Sequence, residues 1–351
     1  MLSRALLGVV RGTWVLLSAA VLVAAGMAWA TYQDVDTGVR RSLAVRADDV
    51  KSTSGMNVLV MGLTTRRDLD GGAPSDEVLA ALHAGDVDRG GYNANTLILL
   101  HVPSDGSAAV ALSLPRDNHV PLLGIVGGPQ HGKVKEAYGR AKEAEERRLV
   151  LAEVRRDPAD IEWLGREAGR RAQVETVGSS LGVPVDHIVE VSMVGFYRLA
   201  EALGGVEVCL NAATSDEYSG ADFPAGRQHL TAAQAMAFVR QRHGLANADL
   251  DRVRRQQAFI SAVMHRIRSQ GVNALGPVAE VAKQHVVLSA DWDILSMAQG
   301  TSGIRFHTLP LESDPTADAQ PTLRAAVTAA LTPPAATSGA ATEPSPIPCV
   351  D

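Results

Sequence analysis

Residues 187–210, HIVEVSMVGFYRLAEALGGVEVCL, contain a predicted strand, helix and second strand in direct succession. Apolar and polar residues alternate in HIVEVSM, as in a strand with one buried face. GFYRLAEALGG is amphipathic at helical spacing and ends in glycines, which commonly terminate helices. VEVCL then resumes the pattern of a strand. This succession is typical of an α/β domain.

The same alternation extends along the chain on both sides of that stretch. MNVLVMG at 56–62 is predicted as a buried strand, and TLILLHVP and AAVALSLP, separated by SDGS, as a β-hairpin. A charged segment at 140–171, interrupted at Asp157-Pro158, predicts solvated helices, and LTAAQAMAFVRQR predicts a helix that begins at a threonine cap. Together these elements predict a three-layer α/β/α domain with helices on both faces of the sheet.

The N-terminus carries an apolar run at 14–30, which follows Arg4 and Arg11 and precedes Asp34 and Asp36. A helix of this length measures roughly 25 Å, close to the lower limit for crossing a bilayer. Basic residues before the run predict one transmembrane helix with a cytoplasmic N-terminus and an extracytoplasmic main domain. A cleaved signal peptide is the alternative, because AWA at its end resembles a cleavage site.

These patterns divide the chain into five predicted segments. They are a cytoplasmic tail at 1–12, a transmembrane anchor at 13–31, a linker at 32–55, the α/β domain at 56–331, and a mobile tail rich in Pro, Ala and Thr at 332–351.

Charge and cysteine content exclude some classes of function. The net charge of −6 argues against general nucleic-acid binding, for which a basic domain is expected. Cys209 and Cys349 fit no zinc or redox spacing. In an exported chain they can form a disulfide, and the alternative is two unrelated thiols.

A local cluster of arginines stands out in FVRQRHGLANADLDRVRRQQ, residues 238–257. Arg240 and Arg242 end one predicted helix, while Arg252 and Gln256 lie four residues apart on the next. The connecting loop is short, so the two pairs can approach each other, with Asp249 and Asp251 as internal partners. The guanidinium fork suits phosphate, but a solvated helix face with weak salt bridges is the alternative.

Two further cations support an anion site. Arg116 follows a predicted strand directly, and Lys133 follows a glycine-rich loop. Loops at strand ends are common binding positions in α/β proteins. Convergence of these cations with the arginine cluster predicts a pocket for a pyrophosphate.

Five stretches, in this order, resemble the LytR-CpsA-Psr family of cell-wall enzymes: NVLVMGLTTR, NTLILLHVPSDGSAAVALSLPRDNHV, KVKEAY, GVPVDHIVEVSMVGFYRLAEALGGVEVCL and GRQHLTAAQAMAFVRQRHGLANADLDRVRRQQAF. The resemblance, to an actinobacterial-type member, implies a mixed central sheet and a location at the cell membrane. It implies transfer of a glycopolymer from a polyprenyl-pyrophosphate carrier to a peptidoglycan hydroxyl. By motif, the pyrophosphate ligands would be Arg116, Arg240, Arg242, Arg252, Lys133 and Gln256.

Two positions depart from the family pattern. The family usually has aspartates that hold Mg²⁺ where this chain has Thr64 and Asn95. Neutral oxygens hold this hard cation weakly, because it prefers carboxylates.

Three explanations of this departure are open. Nearby acids can serve as metal ligands or base, namely Asp68, Asp70, Asp76 and Asp117. Alternatively, the site works without a metal, and Arg66, Arg67 and Lys135 supply charge, with Asn95 as an additional candidate ligand. In the third, the protein has lost catalysis and is a membrane-anchored receptor for polyprenyl-pyrophosphate-linked glycans, or a regulatory protein of the cell envelope.

Overall fold

The computed structural model describes residues 33, 34, 36–128, 130–153, 155–247, 249–292, 303–312, 314, 316–332 and 347–351. The chain divides into two units, Met1–Val39 and Arg40–Asp351. The predicted anchor at 13–31 lies outside the described residues. Within the described part, no helix combines the length and apolarity needed to cross a membrane.

The second unit is built on a seven-stranded sheet with the order β1-β12-β7-β2-β3-β4-β13. Its strands are β1 (Arg40–Ser42), β2 (Gly55–Leu63), β3 (Ala94–Pro103), β4 (Ala109–Ser113), β7 (His187–Ser192), β12 (Val286–Ser289) and β13 (Ile304–Thr308). β1 with β12, β2 with β7, and β4 with β13 pair in parallel, whereas β2 with β3, β3 with β4, and β7 with β12 pair antiparallel. The expected mixed sheet is therefore confirmed.

Eight further described elements are helices, and three small sheets complete the unit. The helices are α1 (Asp76–Leu82), α2 (Glu136–Leu151), α3 (Pro158–Leu181), α4 (Met193–Ala202), α5 (Ala232–Arg240), α6 (Asp249–Gln270), α7 (Val272–His285) and α8 (Gln320–Leu331). The small sheets pair β5 (His119–Leu122) with β6 (Gln130–Lys133), β9 (Thr214–Asp216) with β10 (Ala221–Phe223), and β8 (Val206–Leu210) with both β11 (Gly226–Leu230) and β14 (Cys349–Val350).

Apolar side chains form two main cores that share no residue. In the first, α2, α3 and α8 pack against sheet residues such as Leu59, Met61 and Leu97. In the second, α4, α5 and α6 pack with β8 and β11 around Phe238 and Phe259. Each large buried side chain contributes about 1.5–3 kcal/mol to folding.

Local sequence signals predicted several elements correctly. The hairpin of β3 and β4 is present, with Ile98 opposite Ser113. Thr231 caps the N-terminus of α5: its hydroxyl accepts the Gln234 N–H, and the Gln234 side chain accepts the Thr231 N–H. The helical break falls between Leu151 and Pro158, as expected.

Long-range pairings involve residues of both the expected linker and the expected tail. The expected linker at 32–55 contains β1, because Arg41 donates to the carbonyls of Ser289 and Trp292 and β1 pairs with β12. The expected tail at 332–351 ends in β14, which pairs with β8, and a disulfide joins Cys349 to Cys209. Arg40–Ser42 and Cys349–Val350 are therefore paired with other strands of the fold.

Candidate anion-binding site

Loops at one end of the sheet bring together three arginines and two lysines, which we call the basic cluster: Arg116, Arg242, Arg252, Lys133 and Lys135. Arg116 lies between β4 and β5, and its carbonyl accepts the Lys135 N–H at 3.2 Å. The hairpin of β5 and β6 returns Lys133 to this loop. Arg242 follows α5, and Arg252 lies in the first turns of α6.

The carboxylate of Asp249 lies at the centre of the three arginines. Arg252 holds it through two nitrogens, each 2.8 Å from a different carboxylate oxygen. Arg116 Nη2 lies 3.3 Å and Arg242 Nε 3.6 Å from Asp249 Oδ1. The chain's own carboxylate therefore occupies the place where three guanidinium groups converge.

A second carboxylate, Asp117, neutralises the lysines. Its Oδ1 lies 2.6 Å from Lys135 Nζ and 3.3 Å from Lys133 Nζ, and Arg116 Nε lies 3.8 Å from its other oxygen. Although burial opposes ionisation, these cations lower the pKa of Asp117 to about 2. Five cations thus face two carboxylates, which leaves an excess of positive charge.

The buried arginines of the cluster are only partly compensated. Burial lowers the pKa of Arg252 to about 9, and the neighbouring Arg116 adds to the effect, while Asp249 opposes it. Burial also lowers the pKa of Arg116. In the described part of the chain, Nε of both arginines is buried without a hydrogen-bond partner. An anion of higher charge than one carboxylate would stabilise their protonated forms.

Arg240, predicted beside Arg242, lies elsewhere. Its Nη1 donates to the carbonyls of Leu82 at 2.6 Å and His83 at 3.2 Å, at the C-terminal end of α1. Helix carbonyls at that end lack helical partners and attract cations. Burial and then the nearby Arg66 lower the pKa of Arg240. Arg240 is the last residue of α5, whereas Arg242 lies beyond the C-cap Gln241, so the chain leaves the helix between them and the two arginines contact different groups.

Arg66 and Arg240 line a cavity of about 810 Å³ beside α1. Arg66 donates to the carbonyls of Thr64, Ala84 and Arg89, so it also stabilises the loop after α1. Gln256, the remaining predicted ligand, is half-buried one turn after Arg252. The structure therefore contains a basic cluster and a separate arginine-lined cavity.

Residues 21–326 match the family model described as the LytR_cpsA_psr family. The chain belongs to the LytR-CpsA-Psr family. It is 34% identical over 87% of its length to the cell wall biosynthesis protein LcpA of Corynebacterium glutamicum, and spans 60% of that relative. It is 26% identical over 77% of its length to the polyisoprenyl-teichoic acid–peptidoglycan teichoic acid transferase TagU of Halalkalibacterium halodurans, covering 74% of that protein.

A solved structure shares the fold of this LytR-CpsA-Psr chain. The LytR-Csp2A-Psr enzyme from Actinomyces oris superposes with a TM-score of 0.53 at 17% identity, covering 83% of this chain and 96% of that one. At this level of identity the likeness shows the mixed α/β fold alone.

Thr64 and Asn95, which stand where the resemblance led us to expect metal-binding aspartates, are poor metal ligands. The Thr64 hydroxyl lies 3.1–3.2 Å from the carbonyl oxygens of Gly90, Gly91 and Asn93. Asn95 Oδ1 is buried and has no hydrogen-bond partner in the described part of the chain. The two positions thus offer Mg²⁺ one uncommitted amide oxygen, that of Asn95, although this cation prefers carboxylates.

The substitute acids do not assemble a metal site. Asp68 accepts main-chain N–H groups of its own loop, Asp70 pairs with Arg40 at 2.5 Å, and Asp117 is held by the lysines. Asp76 lies in the first turn of α1. Among the described residues, no group of three His, Cys, Asp or Glu side chains is placed to hold a metal. The described residues therefore offer no set of carboxylates of their own that fits Mg²⁺.

Of the cations proposed as metal substitutes, Lys135 belongs to the basic cluster, while Arg67 and Arg66 do not. Arg67 pairs with Asp88 at 2.5 Å and donates to the Gly71 carbonyl at 2.7 Å. Arg67 therefore links the loop before α1 to the loop after it.

Sequence reasoning missed a buried brace behind the basic cluster. Arg255 donates to Gln241 Oε1 at 2.6 Å and to the carbonyl oxygen of Asp351 at 2.7 Å. Gln241 lies between Arg240 and Arg242 and donates to Thr214 Oγ1 at 2.6 Å. The partners of Arg255 are 14 and 96 residues away, so no local pattern could indicate them.

Proposed function

We propose that this protein binds a polyprenyl-pyrophosphate-linked glycan at the basic cluster and transfers glycosyl phosphate to a peptidoglycan hydroxyl during wall assembly. The observation that carries the proposal is the convergence of Arg116, Arg242 and Arg252 on Asp249. The name of the TagU relative, a teichoic acid transferase acting on peptidoglycan, supports the reaction type. The domain would lie outside the cell, held by the predicted anchor at 13–31.

Charge and exposure of the cluster suit the proposed carrier. A pyrophosphate diester carries two negative charges and presents several oxygens to paired guanidinium donors. Arg242 and Lys133 have side chains 50% and 39% exposed, while Arg116 and Arg252 are buried at 8% and 4%. A ligand can therefore enter past the exposed cations and reach the buried pair, where the lower dielectric strengthens the contact.

Transfer in this site would use the chain's own groups. The acceptor hydroxyl oxygen attacks the sugar-linked phosphorus in line, the bond from that phosphorus to the bridging oxygen breaks, and polyprenyl phosphate leaves. The arginines neutralise the phosphoryl oxygens. As the pyrophosphate takes over guanidinium donors from Asp249, this carboxylate is released to accept the hydroxyl proton.

A receptor without catalysis is the second candidate, because both usual aspartate positions are neutral at Thr64 and Asn95. The two candidates differ in product. The chain in detergent would be incubated with a synthetic polyprenyl-pyrophosphate oligosaccharide and a peptidoglycan oligomer, and mass spectrometry would detect glycan phosphate on the acceptor. A transferase gives product that Arg252→Ala abolishes, whereas a receptor retains the lipid and gives none.

A further inference from the structure

We propose that the cavity beside α1 is a saccharide subsite, with the ring of Tyr218 as its stacking platform. The cavity measures about 810 Å³ and is lined by Arg66, His83, Arg89, Tyr218 and Arg240 among others. Its size falls within the ~300–1,000 Å³ typical of small-molecule sites. This inference rests on the proposed function, because it places a sugar of either the donor or the acceptor beside phosphates bound on the basic cluster.

Tyr218 is an exposed aromatic residue in the lining of this cavity. Its relative exposure is 77%, whereas tyrosine is on average partly buried. The ring of His243 lies beside it, with centroids 4.6 Å apart. The C–H faces of pyranose rings are apolar and pack against aromatic rings, whose π faces attract the weakly positive hydrogens. A paired, exposed platform of this kind suits a sugar.

The platform is fixed relative to the basic cluster. Asp216 Oδ1 accepts the Tyr218 N–H at 3.0 Å, and its Oδ2 accepts the Ser219 hydroxyl at 2.9 Å and the Arg242 N–H at 3.4 Å. One carboxylate therefore ties the loop of β9 and β10 to the segment that carries Arg242 and His243. A phosphate on Arg242 and a sugar on Tyr218 would belong to one continuous ligand path.

The walls of the cavity offer the hydrogen-bonding groups that sugar hydroxyls need. Asp86 and Glu217 provide acceptors, and Arg89 provides donors. Arg66 and Arg240 are held to main-chain carbonyls, so they form a rigid wall. A mixture of acceptors and donors matches neutral hydroxyl groups better than it matches a second phosphate.

The test measures binding of three probes to the full chain: undecaprenyl pyrophosphate, the same lipid carrying a disaccharide, and a phosphate-free peptidoglycan tetrasaccharide. Replacing Tyr218 by Ala should lower the affinity for at least one sugar-bearing probe by about tenfold, the loss expected for one aromatic contact. Tyr218→Phe should bind as the wild type does, because it keeps the ring. Leu275→Ala, at a site 54% exposed on α7, is the matched surface control.

The pattern of loss identifies the source of the sugar. Loss confined to the disaccharide lipid supports a donor subsite, and loss confined to the tetrasaccharide supports an acceptor subsite. The proposal is overturned if the wild type binds no sugar-bearing probe, or if Tyr218→Ala leaves the affinity for every sugar-bearing probe unchanged. It is also overturned if Tyr218→Ala weakens the binding of undecaprenyl pyrophosphate without sugar by the same factor. If the wild type fails to bind undecaprenyl pyrophosphate, the proposed function is overturned instead. The effect of Tyr218→Ala on tetrasaccharide binding would still test the sugar subsite, because that probe has no phosphate.

Discussion

Asp249 acts, in this account, as an internal anion that a pyrophosphate displaces. Three arginine side chains contact its carboxylate, and Arg252 alone contacts both oxygens. The arginine cluster could be recognised from the sequence because Arg242 and Arg252 lie on either side of one short loop between two predicted helices. The divergence of Arg240 could not, since it depends on carbonyls of α1, 158 residues away along the chain.

Replacing Asp249 by Asn separates binding from transfer. The amide removes a negative charge from the cluster and cannot accept the hydroxyl proton. We expect carrier affinity to be retained or increased, and transfer to fall by about 100-fold, as for loss of a general base. Equilibrium binding and mass-spectrometric product formation would be compared. If carrier affinity and product formation fell by the same factor, Asp249 would only maintain the structure of the site.

Replacing Arg252 by Lys tests the guanidinium fork. Lysine keeps the charge but cannot donate two parallel hydrogen bonds, so affinity for polyprenyl pyrophosphate should fall by about tenfold. Arg254→Lys is the matched control, because Arg254 lies on the same helix with its side chain 52% exposed. Titration calorimetry would measure both variants. Similar affinities for the two would argue against Arg252 as a phosphate ligand.

At the scale of elements, α2 and α3 bury charges that the sequence predicted to be solvated. Glu190 on β7 accepts hydrogen bonds from Arg170 at 2.8 and 3.0 Å and from the Tyr138 hydroxyl at 2.8 Å. Arg166 lies 3.5 Å from it, and both arginines are fully buried. The prediction was wrong because the charged residues of α3 follow the pattern of a surface helix, and only the fold brings Glu190 on β7 next to them.

This ion network predicts a stability defect that depends on pH. Glu190→Gln leaves buried arginines uncompensated and should cost about 3–5 kcal/mol in unfolding free energy. The arginines outweigh burial and hold the pKa of Glu190 below its usual value. Its contribution is therefore present above the ordinary glutamate pKa and is lost as pH falls below it.

Urea denaturation at several pH values would measure this difference. Glu143→Gln, in an exposed pair with Arg147 on α2, is the control and should change little. A wild-type protein no more stable than Glu190→Gln at neutral pH would contradict the role of the network.

The brace behind the basic cluster predicts non-additive effects. Arg255→Met breaks the link from Gln241 to Asp351, and reduction of the disulfide releases the same C-terminal strand. Each change alone should weaken pyrophosphate binding severalfold, because Arg242 loses support. Combined, they should weaken it little further, since both act through one chain of contacts. Binding would be measured with and without reductant, and additive losses would contradict the brace.

For the whole molecule, alternating strands and helices predicted the α/β class, because each element carries its own periodicity. Pairings between distant segments were not predictable: β1 and β14 each consist of two or three residues and gain their stability from neighbouring strands. The candidate site, too, combines features that the local sequence predicts with features that only distant contacts create. The residue types of the basic cluster follow from the sequence, whereas the cavity and its Tyr218 platform depend on tertiary contacts.

The most direct test of the central claim is transfer measured in EDTA. The chain, a polyprenyl-pyrophosphate oligosaccharide and a peptidoglycan oligomer would be incubated with Mg²⁺ or with EDTA, and glycan phosphate on the oligomer measured by mass spectrometry. A site that uses arginine and lysine in place of a metal predicts equal product in both conditions. Product that requires Mg²⁺, or no product in either, would contradict it.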